Sequence, residues 1–371
     1  MKIPEFTLER FFARYEFSTP YILCSSDIQG MAMHDLLALA DDDALQRWQS
    51  LTLGYTETNG LPALRTAIAQ LYDGIDPDEV ITFAGAEEAV FITANVLLGP
   101  GDHMITTWPG YQSLYEVGRA TGADVTLIEL RPEQEWRLDI DELRRAIRPN
   151  TKLILLNTPH NPTGALMSHE DWRAVVAMAH EAGAVLFADE VYRMLEYNPS
   201  DRLPAACELS PSALSLGVMS KAFGLAGLRI GWLVVRDAGL RQKLLAYKDY
   251  TTICNSAPSE VLALIALRAS QRMLIRSRAI VLRNLQLFQE VCLRMPDRLQ
   301  MVAPRAGSVA FAQILHAKPI AEIAEEMAAQ VGVLILPASV YGYPGNYFRV
   351  GFGKADFDQG LVRFESYLQQ L

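Results

Sequence analysis

Leu214-Ser215-Leu216-Gly217-Val218-Met219-Ser220-Lys221-Ala222-Phe223-Gly224-Leu225-Ala226-Gly227-Leu228-Arg229-Ile230-Gly231 begins as an apolar strand and opens into a glycine-rich loop that carries a lysine and, eight residues later, an arginine. A lysine at the end of a buried strand is partly desolvated, which lowers its pKa and favours the neutral amine that condenses with carbonyls. Lysines are far commoner on surfaces, so the position gains meaning only from its neighbours. Outward along the chain, short apolar runs recur at residues 79–83, 103–106, 123–128, 152–156, 184–188 and 231–235, most of them separated by helical patterns. With residues 214–218 they make seven strands. The pattern predicts an α/β fold, a largely parallel sheet with helices on both faces.

Ligands of open α/β sheets bind beyond the carboxyl ends of the strands. After residues 80–83 come Ala84-Gly85-Ala86-Glu87-Glu88, either a helix start whose free N–H groups suit a phosphate or a plain connection whose glycine makes the bend. After 153–156 come Asn157-Thr158-Pro159-His160-Asn161-Pro162-Thr163-Gly164, where two prolines stiffen a loop that presents Asn161. After 185–188 come Asp189-Glu190-Val191-Tyr192, in which Asp189 is either a site carboxylate or the cap of a following helix. An amide, a carboxylate, a phenol, a lysine and an arginine, each just past a strand of one sheet, together describe a pocket for an anionic, aromatic, carbonyl-bearing cofactor.

Composition removes other classes. The 371 residues are 50% hydrophobic and 20% charged, as in a globular protein of more than one core. A net charge of −10 lacks the basic footprint of a nucleic-acid binder, so no nucleic-acid partner is expected. Cys24, Cys207, Cys254 and Cys292 are scattered and read as reduced core thiols, and the six histidines show no metal-ligand spacing, so no metal is expected. Apolar runs stop short of the roughly 18 residues a membrane span needs. Glu5 and Glu9 interrupt a signal-peptide pattern, so the expected location is cytoplasmic, with no membrane partner.

HNPTG (His160 to Gly164), DEVY (Asp189 to Tyr192) and SKAFGLAGLRIGW (Ser220 to Trp232) resemble, in order and spacing, the motifs of fold type I pyridoxal-phosphate enzymes, specifically the class I/II aminotransferase family. The similarity extends over about residues 54–352. It implies pyridoxal 5'-phosphate as cofactor and transfer of the amino group of an L-α-amino acid to a 2-oxo acid. It assigns Lys221 as the lysine that holds the cofactor as a Schiff base and later moves the α-proton, and Asp189 as the carboxylate facing the pyridine nitrogen. Tyr192 and Asn161 match the groups bonded to the ring's phenolate oxygen, and Tyr111 matches the aromatic on the ring face. The phosphate falls to the Gly85, Ala86 and Glu87 backbone, Ser220 and Arg229, and to Tyr55 reaching in from a neighbouring subunit, which implies a homodimer with shared sites. Arg349 takes the substrate α-carboxylate, with Asn161, Tyr15 and Ile28 as further substrate-side residues.

Three departures from the family pattern stand out. Val218 replaces a serine three residues before the lysine, Pro337-Ala338 replaces a Pro-Gly, and Cys24-Ser25-Ser26-Asp27-Ile28 lacks the usual glycine beside the substrate carboxylate. That stretch, with Asp249-Tyr250-Thr251-Thr252-Ile253-Cys254, is similar to a subgroup containing capreomycidine synthase, which cyclises a hydroxylated arginine on the same cofactor. A cyclase or a β/γ-elimination enzyme of the same fold is therefore the alternative. A ligand-sensing regulator with an aminotransferase-like domain would add a DNA-binding module and a basic segment, which are not read here.

Residues 6–17 place Phe6, Leu8, Phe11, Phe12 and Tyr15 near one helical face, an arm that covers its own core or grips a partner. The periodicity predicts one long helix over 258–293, then strands near 308–314 and 333–336. The expected division is an arm and part of the small domain at 1–45, a large cofactor domain at 46–262 and a smaller α+β domain at 263–371.

Overall fold

The computed structural model describes residues 2–371. Its main sheet consists of β1 (Val80–Phe83), β2 (His103–Trp108), β3 (Asp124–Glu129), β4 (Thr151–Asn157), β5 (Val185–Asp189), β6 (Ala213–Val218) and β7 (Gly231–Val235). They lie in the order β1-β7-β6-β5-β4-β2-β3. All seven runs read from the sequence are strands of this sheet. Every residue of β1, β6 and β7 is buried, as strands covered on both faces require. Alternation along β4 and β5 divides the apolar residues between two cores, with Leu153, Leu155 and Phe187 on one side and Ile154, Leu156, Leu186 and Ala188 on the other.

Strand β7 alone runs antiparallel to its neighbours. Val218, the last residue of β6, stands opposite Gly231, the first of β7. The loop between them therefore leaves and re-enters the sheet at one edge, and Lys221 and Arg229 both emerge at the carboxyl ends of the parallel strands.

A second, antiparallel sheet contains β8 (Leu299–Met301), β9 (Val309–Ile314), β10 (Leu336–Pro337) and β11 (Tyr347–Gly351), in the order β10-β11-β9-β8. Beside it, Tyr21–Ile22 pairs in parallel with Val333–Leu334. The single strand expected at 333–336 is thus divided between two sheets. The single helix expected at 258–293 is also two helices, Ala257–Arg268 and Ser270–Arg294. The chain turns at Ala269, whose ψ of 19° leaves the helical range, because the first helix runs buried through the core while the second lies half exposed over it.

The arm is helix α1 (Thr7–Tyr15), which buries Leu8 and Phe12 against a cluster that includes Cys24, Trp136, Phe311 and Tyr341. It covers its own chain. Thr7 Oγ1 donates to the Val340 carbonyl at 2.7 Å and fixes the start of the helix. Among the described residues no helix is long and apolar enough to cross a membrane.

Candidate active site

A cavity of about 450 Å³ opens where β4, β5 and β6 end. Asn157 and Asp189, paired across β4 and β5, form part of its floor. Asn157 Nδ2 donates to the Asp189 carbonyl at 3.0 Å, while its Oδ1 accepts the Asn161 N–H at 2.6 Å. One side chain thereby ties the proline loop to the end of the neighbouring strand. His160 in that loop is a structural neighbour: burial lowers it to about 3, and its Nδ1 bonds Thr163 Oγ1 at 2.9 Å.

Asp189 Oδ1 accepts the Val191 N–H at 3.3 Å, so the carboxylate does cap the following turn while also lining the cavity. Burial raises its pKa to about 7, against the opposing effects of the Val191 N–H and Lys221. Lys221 lies close by. Burial lowers its amine to about 8, partly offset by the charge of Asp27. The ammonium also stands 5.7 Å from the centre of the Tyr192 ring. Tyr192 itself is buried, its phenol pushed up to about 12 by burial against the lowering effects of Arg349 and the nearby Ser26 hydroxyl, and its own hydroxyl makes no hydrogen bond of good geometry. A buried hydroxyl without a partner is costly unless something else in the cavity bonds it.

The opposite wall begins helix α2 (Ala86–Leu97), where Gly85 supplies the N-cap without any side-chain hydrogen bond. The free N–H groups of the first turn and the helix dipole make this end attractive to an anion. Gly85 has φ +86°, and a Cβ there would press on the Arg229 guanidinium. Gly231 likewise lies against the Gly85–Ala86 backbone, where a Cβ would collide. Glycines thus bring the helix start, Ser220 and Arg229 to one end of the cavity. Glu87 faces the same space, with its carboxyl raised to about 7 by burial and held by the Ser113 hydroxyl at 3.0 Å.

The remaining side has a different origin. Arg349 on β11 is buried; its Nε donates to the Cys24 carbonyl at 3.0 Å and its Nη1 to Asn161 Oδ1 and Tyr341 Oη, both at 3.1 Å. Its guanidinium carbon sits 5.7 Å from the centre of the Phe12 ring on α1. Nη2 makes no hydrogen bond among the described residues. Helix α1 lines the cavity with Leu8, Glu9 and Phe12, followed by Glu16 just past its end, and the segment Ser25–Asp27 completes the wall. Tyr111 is anchored to the arm, donating its hydroxyl to Glu9 Oε1 at 2.8 Å.

Ten of the residues expected from the sequence therefore line one cavity: Ala86, Glu87, Tyr111, Asn161, Asp189, Tyr192, Ser220, Lys221, Arg229 and Arg349. Gly85 stands directly behind them. Three others lie elsewhere. Tyr15 turns its hydroxyl outward to Glu325 at 3.3 Å, and its place in the wall is taken by Phe12 and Glu16. Ile28 is buried behind the wall against Gly224, while Asp27 faces the space. Tyr55 is 91% exposed on this single chain. Glu9, Glu16 and Ser26 were not expected. Only their place in the arm and in the aberrant 24–28 stretch could have marked them.

The chain matches the family described as aminotransferase class I and II over residues 21–363. It belongs to the class I and II aminotransferase family. Capreomycidine synthase of Streptomyces vinaceus is 28% identical to this aminotransferase-family chain over 97% of its length and 92% of the relative's. A PLP-dependent aminotransferase from Streptococcus suis superposes with a TM-score of 0.94 at 30% identity, covering 100% of this chain and 99% of that one. The PLP-dependent cyclase OrfR superposes with a TM-score of 0.90 at 26% identity, covering 100% and 98%. This aminotransferase-family chain is a pyridoxal-phosphate-dependent enzyme, and its cavity fits that cofactor: an open helix start and an arginine at one end, an unpartnered phenol in the middle and a buried carboxylate on the floor.

Proposed function

We propose that the chain is an aminotransferase that takes the amino group of an L-α-amino acid through Lys221 and passes it to a 2-oxo acid. The observation that carries this reading is the convergence of Lys221, Asp189, the unpartnered Tyr192 hydroxyl, Arg229 and the free Nη2 of Arg349 on a single cavity. Pyridoxal phosphate, when bound, supplies an electron-withdrawing ring that stabilises the charge left as the substrate's Cα loses its proton. The α2 start, Ser220 and Arg229 would hold the phosphate. Tyr192 and Asn161 would bond the ring oxygen, and Asp189 would keep a proton on the ring nitrogen. Arg349 would grip the α-carboxylate, and the Lys221 amine would take up and return the α-proton, a task for which a pKa near 8 leaves both forms accessible.

The substrate's side chain would face Glu9, Glu16 and Asp27. Glu16 has three unfavourable surroundings: it is partly buried, it stands near Asp27, and it lies at the negative end of α1. Asp27 is paired with Lys354 at 2.9 Å, whereas the Glu16 carboxylate makes no direct hydrogen bond or salt bridge among the described residues, and the charges of Lys354 and Arg349 offset its surroundings only in part. An amino acid with a cationic side chain would supply that partner.

The second reading is a cyclase or β/γ-elimination enzyme, favoured by this same unusual wall. The active form is a cytoplasmic homodimer in this reading, for which Tyr55 and Tyr250, each 91% exposed, provide apolar surface to cover. The large domain at 46–262 would hold the cofactor. Borohydride reduction of the holoenzyme followed by peptide mapping should place the adduct on Lys221, and an adduct on Lys152 or Lys248 would overturn the reading. Release of a 2-oxo acid without ammonia, followed by transfer of the retained amino group to a second 2-oxo acid, separates transamination from cyclisation or elimination.

A further inference from the structure

The strip of residues 24–29 belongs to none of the strand-end motifs, yet it reaches the reacting amine. Lys221 Nζ donates to Ser26 Oγ at 2.8 Å, the one hydrogen bond that this side chain makes among the described residues. The strip is held from several directions. Arg349 Nε donates to the Cys24 carbonyl at 3.0 Å, Ser308 Oγ to the Ser26 carbonyl at 2.6 Å, Lys354 Nζ to Asp27 Oδ2 at 2.9 Å and the Gln29 N–H to the Gly353 carbonyl at 2.7 Å. Gly351 and Gly353 lie flush against it, and a Cβ at either would collide with the carbonyl oxygen of Ser25 or of Asp27. A hydroxyl that must stay within reach of a flexible four-carbon amine needs such a rigid mount.

The type of group matters as well as its position. A serine hydroxyl both accepts and donates, so it can bond the lysine as ammonium or as neutral amine. A backbone carbonyl at this place could only accept from the amine's N–H groups and an apolar side chain could do neither, whereas the hydroxyl can also donate to the lone pair of the neutral amine. The lysine alternates between those two forms in the proposed reaction. The proton leaves the substrate's Cα for the neutral Nζ, the C–H electron pair stays behind on the substrate, and the ammonium so formed later returns a proton to the substrate, its three N–H hydrogens being open to exchange with solvent.

We propose that Ser26 is a positioning residue for Lys221, its hydroxyl holding the amine at the substrate-facing wall through both protonation states and so governing the α-proton transfer. The proposal rests on Lys221 being the proton-carrying amine, as argued above. It assigns a task to a residue of the stretch that lacks the usual glycine beside the substrate carboxylate.

The parent and two variants, Ser26→Ala and Ser26→Thr, provide the test. In cofactor-free protein, the pH dependence of Lys221 acylation by an amine-reactive reagent, followed by peptide mass mapping, reads the amine directly. The hydroxyl bonds the charged ammonium more strongly than the neutral amine, so its loss disfavours the ammonium and the midpoint in Ser26→Ala should move to lower pH by about half to one unit. In holoenzyme, exchange of the substrate α-hydrogen with deuterated solvent should slow by roughly 10-fold, the effect of one hydrogen bond to a charged group. Ser26→Thr, which keeps the hydroxyl, should restore both. Thermal melting and cofactor affinity should stay near the parent values in both variants. If Ser26→Ala folds and binds cofactor but leaves midpoint and exchange unchanged, the proposal is overturned, as it is if Ser26→Thr folds but restores neither. A borohydride adduct away from Lys221 would instead remove the reading beneath it.

Discussion

The two ends of the cavity are built in opposite ways. At the cofactor end, Asn157, Asp189, Lys221 and Arg229 each leave a strand of one sheet, and each stands within a few residues of the strand that places it. At the substrate end, the wall is assembled from α1, the strip at 24–29 and β11, and its hydrogen bonds join residues such as Arg349 and Cys24 that are 325 positions apart. The first end is stiffened by a buried parallel sheet, the second by glycine contacts and side-chain bonds between remote segments. An arrangement of this kind lets the chemistry of the cofactor stay constant while the substrate wall changes.

Substitutions at the two ends should differ in the step they affect. The largest effect is expected at the floor. Asp189→Asn keeps the size and removes the charge, so α-proton removal in a single turnover should slow by at least about 100-fold, with cofactor still bound. Near-parental deprotonation in a cofactor-loaded Asp189→Asn protein would reduce Asp189 to the turn cap it also is. Next comes Arg349→Lys at the substrate end. It loses the planar fork that donates to Cys24, Asn161 and Tyr341 while keeping a charge, so KM for the amino acid should rise by roughly 10-fold or more, with cofactor affinity unchanged. A fall in cofactor affinity would show that the two ends are not separable. The smallest effect belongs to Glu16→Gln. Its discrimination in kcat/KM between a cationic and a neutral amino acid of equal length should drop by about 2- to 5-fold, the range of a partly screened ion pair. No preference for the cationic substrate in the parent protein would refute the acidic-wall reading.

What could be read in the sequence follows the same division. Seven apolar runs became seven strands because a strand buried on both faces needs an unbroken apolar run, which shows without knowledge of its partners. Asp189, the last residue of β5, and Asn161 and Lys221, four and three residues past β4 and β6, were visible because the strand before each brings it to the carboxyl edge of the sheet. Helix α1 was visible as an amphipathic helix, but its wheel could not tell which part of the stripe meets a cavity. Tyr15 shares the apolar side with Phe12 and still points to Glu325. Ser26 had no signal of its own, since its position is set by Gly351, Gly353 and Ser308, which no local pattern connects to it. The break at Ala269 was hidden for another reason: alanine is a strong helix former, and the turn there comes from packing rather than propensity.

The pairing of Tyr21–Ile22 with Val333–Leu334 also sets an order of events during biosynthesis. Residues 80–235, which make the whole main sheet, leave the ribosome before the partner of the earliest paired segment has been translated. The cofactor end can therefore close while the strip carrying Ser26 still waits for its mount. At equilibrium the long loop costs little, since doubling a loop adds only about 0.6 kcal/mol. In time it is slow, because contacts of such long range form late. On that order a newly made chain would acquire the place for its coenzyme first and the place for its amino acid last.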